Sequence, residues 1–366
     1  MSDCCGEYWF SITPPPGFSA AESAVMLENA YVQALSERAL TEADVVFKRY
    51  FCSDVYRYAP LLQRHEKEHP AGLTLYIGQA PLDTSFCSLQ VYAVRGNSSS
   101  TDGDEMLRVK HGGYESLWSI VQPTGQADAE AQSDEAIEKL CHQLTSKGMS
   151  LAEDVIRTWY YVRDIDNNYA GMIKSRTRHY EACGLTANTH FIASTGIEGK
   201  STRPSALVTL VTHAIQGLQK SQIRYLKALA NMSPTHAYGV NFERATCITY
   251  GDRKHIHISG TASIDDKGKV LHCGDIVHQC HRALDNIEAL LHEGSLGVGD
   301  LRAAVVYLRD GQEYPQIAPI LKERLPRDCA VNVTEAPVCR PDWLVEIEGE
   351  AIAPHRAPFP NFLSTP

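Results

Sequence analysis

The run Asp300-Leu-Arg-Ala-Ala-Val-Val-Tyr-Leu-Arg-Asp310 is echoed at a constant offset by Asp154-Val-Ile-Arg-Thr-Trp-Tyr-Tyr-Val-Arg-Asp164. The two share the opening Asp, a Tyr at the same place (Tyr161 and Tyr307) and the closing Arg-Asp. A third copy, Asp44-Val-Val-Phe-Lys-Arg-Tyr-Phe-Cys-Ser-Asp54, keeps both aspartates at the same spacing, and its continuation "YAPLLQR" (58–64) matches "IAPILKER" (317–324). Internal repetition constrains a chain more than any single motif, because each copy must form the same structural unit.

The segments around these runs repeat in the same order. "GQAPLDTSFCSLQVYAV" (78–94) lies over "TEAPVCRPDWLVEIEGE" (334–350), and "RPSALVTLV" (203–211) lies over "RPDWLVEIE" (340–348). The openings are "WFSITPPPG" (9–17), "LWSIVQPTG" (117–125) and "HIHISGTASIDDKG" (255–268), each followed by apolar residues at helical spacing over 21–40, 135–146 and 275–292. Each unit therefore reads strand pair, helix, strand, helix, two strands. The pattern predicts an α/β (α+β) chain of three tandem units over residues 1–100, 105–217 and 238–354, with a tail at 355–366. The polar or irregular stretches 95–105 and 218–239 are expected to separate them.

The 366 residues suffice for several domains of ordinary size. No apolar run approaches the length that spans a bilayer, and no basic-plus-apolar leader is seen, so a soluble, cytoplasmic protein is expected. The 11 cysteines are odd in number and lack a CxxC pair, which fits reduced thiols better than a disulfide framework or zinc module. A net charge of −10 without a basic block opposes binding to phosphate backbones. The expected partner is a small molecule, with no nucleic acid and no membrane.

Near the end of the third copy, "PVCRPDWLVEIEGEAIA" (337–353) sets Glu346, Glu348 and Glu350 at alternate positions of a strand, hence on one face. In isolation such a face is equally well a solvated surface. At the place of Glu346, however, the other copies have Gln90 and Thr209, and at Glu348 they have Tyr92 and Val211. One acidic strand among three suggests one working pocket. Neighbouring carboxyls on one face raise each other's pKa, and partial burial raises it further, so that one can hold a proton near neutrality.

The third copy resembles the Rid (YjgF-type) superfamily. The resemblance rests on Ser259-Gly-Thr-Ala-Ser-Ile-Asp265, on Gly274-Asp-Ile-Val-His-Gln279 with Leu284, Asn286 and Leu290, on Val306-Tyr-Leu-Arg-Asp310 and on Val345-Glu-Ile-Glu348. It covers 238–353, with fainter traces in the other copies. "RTWYYV" (157–162), "YGVNFERA" (238–245) and "VCR" before the last strand are similar to the chorismatase branch and equally to long bacterial Rid-like proteins. The resemblance implies three Rid/chorismate-mutase-like units forming a pseudo-threefold trimer within one chain, with pockets between units. Such a monomer leaves room for further association.

The resemblance also implies a cofactor-free enzyme that cleaves the enolpyruvyl ether of chorismate or a related cyclic carboxylate. Glu346, or Glu348 in a shifted alignment, would be the acid. Arg340 and Arg309 are candidate carboxylate binders, and Ser259, Thr261, Tyr238 and Arg244 candidate pocket residues. Where Rid deaminases carry a substrate-clamping arginine, fifteen residues before the glutamate, this chain has Val331 or Val333. An enamine or imine hydrolase is the second reading, and a non-catalytic ligand-binding protein the third. His278, Cys280 and His281, and the pair His255 and His257, do not converge as a metal set requires, so surface histidines and no metal are expected.

Overall fold

The computed structural model describes residues 6–68, 70–82, 85–103, 105–125 and 127–363, the side chains at 65, 68 and 238 excepted. The first segment contains β1 (Glu7–Ile12), α1 (Ala20–Glu37), β2 (Val45–Cys52), α2 (Val55–Glu68), β3 (Leu73–Gly78), β4 (Ala80–Pro81) and β5 (Cys87–Val94). The second contains β6 (Ser98–Asp102), β7 (Met106–His111), β8 (Tyr114–Val121), α3 (Ala129–Ser146), β9 (Val155–Val162), α4 (Ile165–Ala182), β10 (Ala193–Glu198) and β11 (Val208–Gln216). The third contains β12 (Ile223–Leu226), β13 (Ala245–Thr249), β14 (Arg253–Ala262), α5 (Ile276–Glu293), β15 (Leu301–Leu308), α6 (Tyr314–Arg324), β16 (Ala330–Glu335) and β17 (Val345–Pro354). No helix among the described residues is long and apolar enough to cross a membrane.

The long helices start where a side chain can cap them. Ser19 and Glu22 form a reciprocal capping box at α1, Asp128 accepts from the Ala131 amide at α3, and Asp275 accepts from the His278 amide at α5. The Asp128 cap carries α3 upstream of the start that apolar spacing alone predicts. Two segments expected as irregular separators contain strands: β6 pairs with β7, and β12 with β13. All the β6 residues are exposed, so its strand structure comes from an edge partner and not from a buried face that alternation would reveal.

Three sheets share one arrangement. The orders β1-β5-β2-β3, β8-β11-β9-β10 and β14-β17-β15-β16 each contain two antiparallel pairings followed by a parallel one. One face of each sheet packs on its own helices. The other faces meet inside the molecule, where Phe47 stacks on Trp118 (4.9 Å) and Trp118 on Trp159 (6.1 Å). Both faces are covered: β15 reads as an apolar run broken only by Arg302, while β2 and β9 bury Lys48, Arg49 and Arg157 among their apolar residues. Sheet edges are closed by neighbouring segments: β4 pairs with β16, Gly78 bridges to Lys200, and Ile197 bridges to Val338. The inner faces therefore form both the core and the place where buried polar side chains from distant segments meet.

Candidate active site

The three glutamates of β17 face this interior. Glu346 is 5% exposed and Glu348 3%. Their surroundings nevertheless differ. Glu348 accepts hydrogen bonds from Arg49 Nη1 (3.0 Å), Arg157 Nη2 (2.9 Å), Thr195 Oγ1 (2.6 Å) and Trp159 Nε1 (3.0 Å). Arg49 is supplied by β2, Arg157 and Trp159 by β9, and Thr195 by β10. Burial alone would raise the Glu348 carboxyl, but Arg49, Arg157 and the Thr195 hydroxyl outweigh it and hold the group below the ordinary carboxylate range. Glu348 is thus a permanent anion that ties the three sheets together.

Glu346 has no hydrogen-bond partner among the described residues. Burial first, and then the nearby Glu348 anion, push its carboxyl up to about 8, against a weaker pull from Arg157 and Arg244. At neutral pH it keeps its proton. Register accounts for this division: Glu346 lies opposite Ala262 on β14, where a bulge between Ile258 and Thr261 shifts the pairing. The shift turns Gly260 toward the carboxyl. A Cβ at position 260 would lie 2.1 Å from Glu346 Oε1, so any larger residue here would push the Glu346 carboxyl from its place.

Glu346 opens into a narrow pocket between the second and third sheets. Its walls include Tyr169 and Arg176 of α4, Ser194 of β10, Arg244 ahead of β13, and Cys339, Arg340 and Trp343 ahead of β17. Arg176 is 1% exposed; its Nε donates to Asn241 Oδ1 (3.1 Å), while its Nη2 has no partner among the described residues. Arg244 Nη2 donates to the Ser233 carbonyl (3.1 Å), and the Arg340 guanidinium lies 5.2 Å from the centre of the Trp343 ring. The Cys339 thiol is pushed up to about 12, by burial and then by Glu346, and stays protonated. Three guanidiniums and a carboxyl line one pocket, an arrangement whose chemistry suits a negatively charged ligand.

The residues singled out in the sequence separate into groups. Glu346, Arg340 and Arg244 come together in the pocket. Arg309 does not: it pairs with Asp166 through two bonds of 3.0 Å and donates to the Val338 carbonyl. Ser259 and Thr261 are also turned away. The Ser259 hydroxyl donates to the Glu243 carbonyl (2.6 Å) and that of Thr261 to the Ser259 carbonyl (2.9 Å), so that the intervening Gly260 lines the pocket. Tyr238 ends a short turn, Thr235–Tyr238, and its side chain lies outside the described residues. His255 and His257, expected on the surface, are buried. Among the described residues no three His, Cys, Asp or Glu side chains are placed to hold a metal ion. Arg176 was not anticipated, although Met172, Arg176 and Tyr180 recur at i, i+4 on the buried face of α4. An arginine within an apolar stripe was the available signal.

Residues 242–353 match the family described as endoribonuclease L-PSP. A 3-hydroxybenzoate synthase of Streptomyces hygroscopicus is 28% identical over 286 residues, covering 71% of this chain and 80% of the relative. A chorismatase of the same organism is 29% identical over 254 residues, covering 64% and 71%. A RutC family protein of Pyrococcus horikoshii is 32% identical over 100 residues, covering 26% of this chain and 77% of its own length. The fold is that of a chorismatase crystal structure, with a TM-score of 0.67 at 18% identity over 95% of this chain and 100% of the other. The family match at 242–353 takes in the glutamate-bearing β17, and by it and the RutC family relative the chain belongs to the Rid superfamily.

Proposed function

We propose that the protein is a chorismatase-like enzyme that cleaves the enolpyruvyl ether of chorismate or a related cyclic carboxylate, with Glu346 as general acid. The observation that carries this reading is the buried, unbonded Glu346 carboxyl facing Arg176, Arg244 and Arg340 across one pocket. In the same reading, residues 1–100, 105–217 and 238–354 are three Rid-like units around a pseudo-threefold axis, and the site lies between the second and third. The guanidiniums hold the substrate's carboxylates. Glu346 delivers its proton to the terminal methylene carbon of the enol ether, leaving an oxocarbenium ion at the ether carbon. Addition of water there gives a hemiketal, which collapses to pyruvate and the ring alcohol. Direct loss of pyruvate with aromatisation of the ring would instead give a hydroxybenzoate, the kind of product named in the 3-hydroxybenzoate synthase relative. Glu348 acts through Glu346, because its fixed negative charge helps keep the neighbouring proton in place.

The test is incubation with chorismate, following pyruvate by a coupled assay and the ring product by chromatography. Pyruvate release that disappears in Glu346→Gln, with the fold retained, supports the reading. Equal turnover by wild type and Glu346→Gln refutes it. An imine hydrolase needs a carboxylate to assist water, which a protonated Glu346 suits less well; ammonia release from amino-acid-derived imines without pyruvate from chorismate would favour that activity. Tight chorismate binding without turnover would mark a ligand-binding protein.

A further inference from the structure

Helices α3 and α4 lie side by side and run in the same direction. Along their seam Glu130 meets Lys174 (2.8 Å) and Arg178 (3.1 Å), and one turn further Asp134 meets Ser175 (2.6 Å), Arg178 (2.5 Å) and His179 (3.0 Å). The partners on this seam are between 41 and 48 positions apart in sequence. The same offset, continued two turns along α3, sets Cys141 against Cys183 at the end of α4. The two thiols meet there, within hydrogen-bonding reach of each other.

Cys183 is exposed, whereas Cys141 is half-buried against the core of the second segment. The backbone at Cys183 is fixed by the way α4 ends. The Gly184 amide donates to the Glu181 carbonyl (3.0 Å) and the Leu185 amide to the Tyr180 carbonyl (2.8 Å), with Gly184 at a φ of +81°, where glycine is favoured. Cys52 and Cys87 also face each other, across β2 and β5, but both are buried and out of reach of a dissolved oxidant. We propose that Cys141 and Cys183 are a redox-active pair that closes to a disulfide when the protein meets a peroxide, and that the bond locks α4 onto α3.

The exposed thiol reacts first. The Cys183 thiolate attacks one peroxide oxygen, the O–O bond breaks, one water leaves and a sulfenic acid remains on Cys183. The Cys141 sulfur then attacks the Cys183 sulfur; the S–O bond breaks, and hydroxide leaves as a second water with the proton that Cys141 gives up. Two thiols and one hydrogen peroxide thus become one disulfide and two waters. Burial, and then Cys183, push the Cys141 thiol up to about 11, which suits it to resolving the sulfenic acid and not to meeting the oxidant. The bond bears on the Glu346 pocket because α4 presents Tyr169 and Arg176 to it. The Arg176 guanidinium lies 5.9 Å from the centre of the Tyr180 ring, and Tyr180 is one turn before Cys183. Tying the end of α4 to α3 restrains the helix that carries this arginine.

The test treats the full chain with hydrogen peroxide, blocks the remaining thiols with iodoacetamide and maps peptides by mass spectrometry without reduction. The expected product is a peptide pair joined through Cys141 and Cys183. The thermal midpoint should rise by about 3 °C or more, amide exchange over Ile165–Ala182 should slow, and dithiothreitol should reverse both changes. Cys141→Ser and Cys183→Ser should each lose the peroxide-induced rise, while Cys273→Ser, which removes another exposed thiol, should keep it. Recovery of Cys183 as a sulfinic acid, or joined to any other cysteine or to a second chain, overturns the proposal. So does a joined Cys141–Cys183 pair with amide exchange in α4 unchanged.

Discussion

Replacing Glu346 by Gln should make the protein more stable while abolishing activity, and the gain should depend on pH. In the folded chain the Glu346 carboxyl is raised from 4.5 to about 8, so folding requires it to take up a proton that the unfolded chain has released above pH 4.5. The sign follows: stability is fully present below pH 4.5 and is lost progressively as pH rises toward 8. At about 1.4 kcal/mol per pH unit the loss is about 3 kcal/mol at pH 7 and about 4 kcal/mol at pH 8. A glutamine side chain at this position fills nearly the same volume and never ionises, so the variant escapes this loss. Glu348→Gln should behave oppositely. It leaves Arg49 and Arg157 buried without their anion and should destabilise by about 3–5 kcal/mol at neutral pH. Because the folded pKa of Glu348 lies below the ordinary range, that penalty should fade only as pH drops below 4.5. Urea unfolding at about pH 5, 7 and 8.5, followed by tryptophan fluorescence, measures both effects. A Glu346→Gln variant less stable than wild type at neutral pH, or a gain equal at the acidic and alkaline ends of that series, would refute the claim that this carboxyl is held neutral.

Three further outcomes follow from the same geometry. The turnover rate on chorismate should fall as pH rises through about 8, where Glu346 loses the proton it must donate; a rate still rising a full pH unit higher would count against it. Gly260→Ala should displace the Glu346 carboxyl and lower kcat by about 100-fold while the protein still folds, as circular dichroism and the pyruvate assay would report. Arg176→Met should raise KM by roughly 10- to 100-fold, the value of a charged hydrogen bond of about 1.5–3 kcal/mol, whereas Arg309→Ala should leave kcat/KM unchanged and alter stability by less than about 1 kcal/mol.

Much of this organisation was legible before any coordinates. The paired aspartates and the tyrosines at 161 and 307 bracket β9 and β15, and the repeated openings fall on β1, β8 and β14. The motifs at 259–265, 306–310 and 345–348 pointed to the superfamily, because glycine positions and strand ends carry geometry directly in residue type. Less legible were the elements whose form depends on a partner. The exposed strand Ser98–Asp102 has no apolar alternation, and Ala80–Pro81 became a strand by joining the third sheet. Arg340 precedes the acidic strand and Arg309 ends the strand beside it, yet Asp166, far away in the chain, engages Arg309 and not Arg340.

The period of two in β17 was enough to put Glu346, Glu348 and Glu350 on one face. What each carboxyl does on it was decided by tertiary structure. Arg49, Arg157 and Thr195, distant in sequence, converge on Glu348 and keep it charged, while the bulge in β14 sets Gly260 and Ala262 beside Glu346 and offers it no hydrogen-bond partner among the described residues. Side-chain alternation is a local property of the backbone. Desolvation and ion pairing depend on which distant residues the fold brings within a few ångströms, and that is where two glutamates two positions apart acquire different charge states.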